Sequence, residues 1–299
     1  MAAISPDILR QVKRIELRTR GLVNSRFVGE YHSVFKGQGM EFSEVREYQP
    51  GDEVRAIDWN VSARMRRLFV KRYVEERELT VLLIVDCSGS SRFGTGDRDK
   101  QAMAAELAAV LALTATRNND RVGLIICSDR PEHVVPPRKG RRHALRLVRD
   151  VLAWPTSHRP TDLGAALNYA ARVLSHHALV FVISDFVTPS IERQLRVVGQ
   201  RHDLVAVVLD DPGERTLPDL GVSRLVDAES GQLIEIDTSD PAVRENYDAT
   251  VRAERDARRT LLRRLAIDEV VVRTESGWAE PLLRFFNTRE IRGRRIRRR

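Results

Sequence analysis

Four short apolar runs, each ending in an aspartate, constrain the fold of this 299-residue chain more than any other feature. They are VLLIVD ending at Asp86, RVGLIICSD ending at Asp129, ALVFVISD ending at Asp185 and DLVAVVLDD ending at Asp211. Runs of Val, Ile and Leu without polar alternation are typical of strands that are buried on both faces. The sequence therefore predicts a parallel sheet covered by helices.

Helix-forming segments separate these runs. Residues 98–117 contain neither Gly nor Pro, and residues 138–154, 161–177 and 190–201 are amphipathic. This alternation predicts an α/β fold with a doubly wound, mostly parallel sheet. In such sheets ligands bind outside the carboxyl ends of the strands, where the aspartates are expected to lie.

After the fourth run the pattern loosens. Residues 223–237 predict a hairpin that turns at residues 229–231, and the Asp-Pro pair at 240–241 predicts the start of a long charged helix. A last strand is expected at 268–275 and a last helix at 279–290. We expect these pieces to complete the sheet or to pack on its edge.

The ends of the chain differ from the middle. Residues 1–78 are rich in charged and turn residues, which predicts an N-terminal elaboration of short strands and a helix. The main domain is then expected at 79–290, and the last nine residues, IRGRRIRRR, are expected to form a disordered basic tail at 291–299.

The formal charge of +8 comes mostly from that tail, since six of its nine residues are arginines and the rest of the chain has 44 basic and 42 acidic residues. A tail without aromatic residues to stack on bases favours at most non-specific attraction to nucleic acid, which is the weakest of the functional alternatives. The chain has no apolar run long enough to cross a membrane and no N-terminal apolar signal, so we expect a cytoplasmic protein. Cys87 and Cys127 lie in or beside strand-like runs and are expected to be reduced thiols.

Oxygen-bearing side chains follow the first run. Asp86, Ser88 and Ser90 alternate just past the strand end, so their oxygens can converge on one point, as Mg²⁺ requires. The simpler alternative is that Ser90 or Ser91 only caps the next helix.

Two other loops are expected at the same edge of the sheet. One carries Thr161 and Asp162 before a helix, and the other carries Asp185 at a strand end. Separately these residues would be explained as a helix cap and a strand terminator. Together with the serines they favour a metal site.

The order and approximate spacing of these residues resemble the metal-ion-dependent adhesion site of von Willebrand factor A domains. The residues are Asp86, Ser88, Ser90, Thr161 and Asp185. In addition, the block at 37–78, with its GMEFSEVREYQPGDEVRAIDWN, resembles the signature of the bacterial domain of unknown function 58 (DUF58) family, which joins such a block to a von Willebrand A-like domain. The resemblance implies a fold and a metal but no settled activity.

Carried over by position, the resemblance implies that Ser88 and Ser90 ligate the metal directly, Thr161 directly or through water, and Asp86 and Asp185 largely through water. One coordination position then stays open for a carboxylate from a partner protein. Ligation by hydroxyls favours Mg²⁺, with Mn²⁺ or Ca²⁺ as alternatives. Position 160, before the threonine, is a proline where many relatives have glycine.

The leading functional interpretation is a metal-dependent protein-interaction module, acting as an adaptor or co-chaperone. The resemblance implies a MoxR-type AAA+ ATPase as partner, or a client protein that offers an acidic side chain. The sequence has no G-x-x-x-x-G-K-[ST] loop, so ATP hydrolysis would belong to the partner. No nucleophile with a matched base is recognised, since His143, His176 and His177 are expected on helices or at their ends.

The rival interpretation is a phosphohydrolase of the haloacid dehalogenase type, which also has an aspartate at the end of its first strand. Those enzymes need a second acid two residues later to protonate the leaving oxygen, and Ser88 stands there instead. In the N-terminal block, the simplest interpretation of Asp52, Arg55, Asp58 and Trp59 is an internal salt-bridged turn in which the indole packs on the main domain.

Overall fold

The computed structural model describes residues 6–22, 31, 41–74, 78–96, 98–155 and 159–296. Its α-helices are α1 Pro6–Leu22, α2 Trp59–Met65, α3 Lys100–Arg117, α4 Arg141–Leu152, α5 Leu163–Val173, α6 Glu192–Arg201, α7 Pro241–Arg264 and α8 Ala279–Ile296. Its strands are β1 Glu41–Glu47, β2 Phe69–Val74, β3 Thr80–Asp86, β4 Arg121–Cys127, β5 Pro131–Arg138, β6 Leu179–Ser184, β7 Asp203–Asp210, β8 Val222–Val226, β9 Leu233–Asp237 and β10 Asp268–Arg273.

A six-stranded sheet forms the centre of the fold, in the order β10-β7-β6-β3-β4-β5. The first five strands in this order pair in parallel, and β5 pairs antiparallel with β4 at the edge. The predicted doubly wound α/β fold is therefore confirmed. From β3 the chain passes first to β4 on one side and later to β6 on the other, so the carboxyl end of β3 lies at the point where the winding reverses. Doubly wound sheets bind their ligands at such a point.

Both faces of the sheet are buried, as the apolar runs predicted. Along β3, Val81, Leu83 and Val85 face a core formed with α3, α4 and α8. The alternate residues Leu82 and Ile84 face a second core formed with α5 and α6. Because successive side chains of a strand point to opposite faces, a strand buried on both sides carries no polar alternation.

Strand β5 was not predicted from the sequence. Its segment, PEHVVPPR, contains Pro131, Pro136 and Pro137, and proline cannot donate a hydrogen bond to a neighbouring strand. The structure accommodates these prolines because β5 lies at the edge of the sheet.

The N-terminal segment contributes directly to the main core. Ile15 of α1 is buried in the cluster that contains α3 and α4, and the Tyr31 ring packs edge-on against Phe286, with 6.2 Å between ring centroids. Strands β1 and β2 form a separate antiparallel pair.

The turn after β1 contains an ion pair, which joins Asp52 to Arg46 and not to a residue of the predicted set, and its indole does not pack on the main domain. Asp52 accepts two hydrogen bonds from the Arg46 guanidinium, of 2.9 and 2.6 Å. Asp58 caps α2 by accepting hydrogen bonds from two backbone amides. Trp59 is 64% exposed, so the expectation that it packs on the main domain is wrong. The reason is that α2 starts at this residue and directs its side chain to solvent.

The elements predicted for the C-terminal part of the chain are present, but only one of the strands joins the central sheet. Strand β10 joins the sheet beside β7, whereas β8 and β9 form a two-stranded sheet of their own that contacts the loop after β3. Asp240 caps α7 by accepting a hydrogen bond of 2.8 Å from the Ala242 amide, as predicted.

Helix α8 extends further than the sequence analysis expected. It continues to Ile296, through most of the segment predicted to be a disordered tail, and residues 297–299 lie outside the described residues. The buried side chains of Leu282 and Phe286 anchor the helix, and arginine is a good helix former that lets it continue. None of the described helices is long and apolar enough to cross a membrane.

Candidate functional site

The carboxylate of Asp86 is fixed between two neighbouring strands. This residue ends β3 and is only 3% exposed. Its Oδ1 accepts a hydrogen bond of 3.0 Å from the Ser88 backbone amide, and its Oδ2 accepts one of 2.7 Å from the hydroxyl of Ser184, the last residue of β6. Both carboxylate oxygens are therefore held in place across the point where the winding of the sheet reverses.

The two serines of the loop lie next to each other and reach Asp185. The Ser88 and Ser90 hydroxyl oxygens are 3.2 Å apart, and the Ser90 hydroxyl donates a hydrogen bond of 2.8 Å to Asp185 Oδ2. The turn is held by Ser91, whose hydroxyl donates to the Ser88 carbonyl at 2.7 Å. Ser91 thus has a structural role, whereas the two preceding serines point toward the carboxylates.

The chain turns sharply after Asp185. Phe186 has a φ of 61°, which is unusual for a residue other than glycine, and its amide donates to the Ser184 hydroxyl at 2.9 Å. The Val187 amide donates to Asp185 Oδ1 at 3.1 Å. Such backbone strain is found mostly where the surrounding structure fixes a functional loop. Here it directs the second carboxylate toward the serine loop.

Thr161 is connected to the site through the β8–β9 hairpin. It is 1% exposed, and its hydroxyl donates a hydrogen bond of 2.9 Å to Glu229, a residue between β8 and β9. The adjacent Asp162 caps α5 by accepting from the Ala165 amide at 3.0 Å. Four of the five predicted residues are joined by direct contacts, namely Asp86, Ser88, Ser90 and Asp185. Thr161 is linked to them indirectly, because the hairpin that it contacts also contacts Gly89.

A buried lysine beside the site was missed by the sequence analysis. Lys100 opens α3 and is 1% exposed. Its ammonium donates to Asp185 Oδ2 at 2.8 Å and also to the Glu214 carboxylate. Burial alone would lower the pKa of Lys100, but the two carboxylates raise it, so the side chain is a fixed positive charge.

The pKa values of the two aspartates of the site are shifted in opposite directions. Burial, and then the charge of Asp185, raise the pKa of Asp86 to about 6. Burial also acts to raise the pKa of Asp185, but the Lys100 ammonium outweighs it and holds this pKa below its usual value. Two buried carboxylates close together repel each other, and a cation bound between them would relieve this repulsion.

The donor set fits a small divalent cation. Two ligands at about 2.1 Å from Mg²⁺ and at a right angle to each other lie about 3.0 Å apart, and the Ser88 and Ser90 oxygens are 3.2 Å apart. The side chains of Asp86, Ser88, Ser90 and Asp185 all offer oxygen, which Mg²⁺ prefers. The arrangement can therefore hold a metal through the two serines, with Thr161, Asp86 and Asp185 in supporting positions.

Neither cysteine takes part in this chemistry. Cys87 and Cys127 are buried and unpaired, and burial raises the pKa of both thiols. His143 lies on α4, where its Nε2 atom is 2.8 Å from the Val122 carbonyl oxygen, far along the strand from the site.

A cleft of about 610 Å³ opens on the other side of Asp185. Its walls include Ile191, Tyr247 and Leu262, so much of its lining is apolar. The site thus has a polar centre at the serine loop and an apolar groove beside it.

Fold and site together define an α/β domain with a hydroxyl-rich loop at the switch point of a doubly wound sheet. Residues 44–257 match the family described as Protein of unknown function DUF58. The match covers most of the chain, so the chain belongs to this family, and the resemblance seen in the N-terminal block is confirmed.

Relatives of similar length occur in mycobacteria. The uncharacterized protein Rv1480 of Mycobacterium tuberculosis is 32% identical over 288 residues, which cover 95% of this chain and 90% of the relative. The uncharacterized protein Mb1516 of Mycobacterium bovis matches to the same extent.

Two solved structures are also similar to this chain. The conserved hypothetical protein BatB from Bacteroides thetaiotaomicron gives a TM-score of 0.48 at 14% identity, covering 71% of this chain and 98% of that one. A von Willebrand factor type A structure from Catenulispora acidiphila gives a TM-score of 0.33 at 15% identity, covering 46% and 34% of the two chains.

Proposed function

We propose that this chain is a metal-dependent protein-interaction module that binds an acidic side chain of a partner through a divalent cation, most suitably Mg²⁺. The observation that carries the proposal is the chain of contacts at the switch point of the sheet, in which the Ser88 hydroxyl lies against the Ser90 hydroxyl and the Ser90 hydroxyl donates to Asp185. Membership of the DUF58 family is consistent with an interaction module.

The residues of this chain would hold the cation in different ways. Ser88 and Ser90 would bind it through their hydroxyls, and Thr161 would bind directly or through water. Asp86 is oriented by the Ser184 hydroxyl and would contribute negative charge, largely through water. The bound cation would supply a positive charge with an exchangeable coordination position for a carboxylate oxygen.

The proposed partner is a MoxR-type AAA+ ATPase, or a client protein delivered to it, so that the chain acts as an adaptor or co-chaperone. ATP would be hydrolysed by the partner, and the interaction is proposed to take place in the cytoplasm. The apolar cleft beside Asp185 could receive the residues that flank the acidic side chain of the partner.

Binding is better supported than catalysis. A haloacid dehalogenase-like hydrolase would need Asp86 to attack a phosphorus atom, yet both oxygens of this buried carboxylate accept hydrogen bonds. The position of the required second acid is occupied by Ser88. We therefore propose that the chain is not an enzyme.

The interaction can be tested with purified proteins. We expect the chain to capture a MoxR-type AAA+ ATPase of the same organism in Mg²⁺ and to release it in EDTA. The Ser88→Ala/Ser90→Ala variant should fail to capture it, whereas the control Ser175→Ala, an exposed serine after α5, should behave as the wild type. Capture that is equal in EDTA and in the double variant would contradict metal-dependent binding.

A further inference from the structure

The tip of the β8–β9 hairpin, residues 227–232, lies directly on the proposed metal loop. A Cβ atom added to Gly89 would come within 1.8 Å of the Ala228 carbonyl oxygen, so the two backbones are in close contact. The next residue, Glu229, accepts the 2.9 Å hydrogen bond from the Thr161 hydroxyl. The hairpin therefore brings a carboxylate of this chain to the site.

The conformation of the tip is set by its own hydrogen bonds. Asp227 accepts from the Glu229 amide at 2.9 Å and from the Ser230 hydroxyl at 2.7 Å. The Gly231 amide donates to the Asp227 carbonyl at 2.8 Å, in a turn where Gly231 has a φ of 70°. The hydrogen bonds from Ser230 and from the Glu229 amide lower the pKa of Asp227, so the turn is held by an ionised carboxylate. Glu229 is thus presented by an ordered turn.

The rest of the hairpin is only weakly attached to the body. Its large apolar side chains are exposed to solvent, namely Val222, Leu225, Val226, Leu233 and Ile234. A two-stranded hairpin without a packed face is marginally stable. At its base, Thr238 is buried and its hydroxyl bonds to the Gly221 carbonyl and the Leu220 amide. The hairpin is therefore fixed at its base and at its tip.

We infer that Glu229 is an internal ligand of the proposed cation, placed in the coordination position that a partner carboxylate would take. The inference rests on the proposed function, because it requires a cation at Ser88 and Ser90. In this state the chain occupies its own binding position, and an acidic partner binds only when the hairpin tip moves away.

Because Glu229 belongs to the same chain as the metal loop, it competes with a partner carboxylate for the proposed cation. A ligand tethered by a short segment acts at an effective concentration in the millimolar range, so a free acidic peptide competes poorly with it. A protein partner that also covers the exposed apolar hairpin side chains gains additional binding energy and can displace the tip. The hairpin thus discriminates against isolated acidic groups.

The test compares two glutamates of the same hairpin. Glu229→Gln keeps an acceptor for the Thr161 hydroxyl but removes the negative charge, and Glu235→Gln removes an exposed charge that pairs with Arg224 across the hairpin. Calorimetric titration of Mg²⁺ into each full-length variant should show affinity at least about tenfold weaker for Glu229→Gln and unchanged for Glu235→Gln.

Hydrogen exchange gives a readout that does not depend on affinity. Added Mg²⁺ should slow the exchange of amides 227–232 in the wild type and in Glu235→Gln, but not in Glu229→Gln. Without Mg²⁺ the three proteins should exchange alike at the tip, because the glutamine side chain retains the hydrogen bond to Thr161.

A second variant moves the tip without changing its carboxylate. Gly89→Ala places a methyl group where the Ala228 carbonyl lies, so the tip must shift, and the Mg²⁺-dependent slowing of exchange should be lost.

The inference is overturned if Glu229→Gln binds Mg²⁺ with wild-type affinity and its tip is protected as in the wild type. That result would leave the metal site itself intact. Absence of Mg²⁺ binding by the wild type would instead overturn the proposed function and, with it, the internal ligand.

Discussion

At the scale of single residues, the site contains buried charges of opposite sign that are paired with each other. Lys100 supplies a positive charge to Asp185 and Glu214, and all three groups are wholly or partly withdrawn from water. A buried charge is tolerated when it is paired and hydrogen-bonded. Lys100 therefore stabilises the carboxylate that is turned toward the serine loop.

We predict that Lys100→Met destabilises the fold by about 3 kcal/mol, because it leaves a buried carboxylate without its cation. The control Lys139→Met removes a cation from an exposed pair with Glu78 and should cost much less, because solvent screens such a pair. Urea unfolding of the two variants measures the difference. Equal losses would show that burial does not set the importance of the Lys100 pair.

Residues of the site differ in how far the sequence could reveal them. Asp86, Ser88, Ser90 and Asp185 follow buried strands directly, so the strand pattern and sheet topology were enough to place them. Lys100 and Asp185 are 85 positions apart, and no local pattern joins them.

A weak local signal for Lys100 was nevertheless present. A lysine in the first turn of a helix opposes the helix dipole, which favours an anion nearby. For Glu229, which is 68 positions from Thr161, the sequence analysis placed the turn correctly but gave no information about what the turn contacts.

At the scale of elements, regular patterns were predicted and irregular ones were not. The parallel strands and the four central helices follow from unbroken apolar runs and helical periodicity. Strand β5 was missed because its prolines argue against a strand unless the strand lies at an edge, which only the assembled sheet reveals. The hairpin was found, but its position over the serine loop depends on tertiary contacts.

Helix α8 gives a prediction at this scale. Phe286 is fully buried against the main core, whereas Ile291, five residues later in the same helix, is 55% exposed. We predict that Phe286→Ala destabilises the fold by about 3 to 5 kcal/mol, because it leaves a cavity in the core. Ile291→Ala should change stability by no more than about 0.5 kcal/mol.

Thermal or urea unfolding of these two variants measures the contribution of α8 to the domain. Losses of similar size would contradict the conclusion that the helix is anchored through its buried face up to the point where the basic segment begins.

At the scale of the whole molecule, the topology of the sheet places the site. The first strand of the sheet is central, and the chain passes to one side of it and then to the other, which opens a crevice at the carboxyl end of β3. The N-terminal helix and the C-terminal helix both pack into the core on one face of the sheet, so the ends of the chain support the fold that carries the site.

The central claim is that the loop after β3 binds a divalent cation, and calorimetric titration of Mg²⁺ into EDTA-treated, dialysed protein tests it most directly. The account predicts one ion per wild-type chain, and loss of binding in Ser88→Ala/Ser90→Ala with unchanged folding by circular dichroism. No binding by the wild type, or equal binding by the double variant, would contradict it.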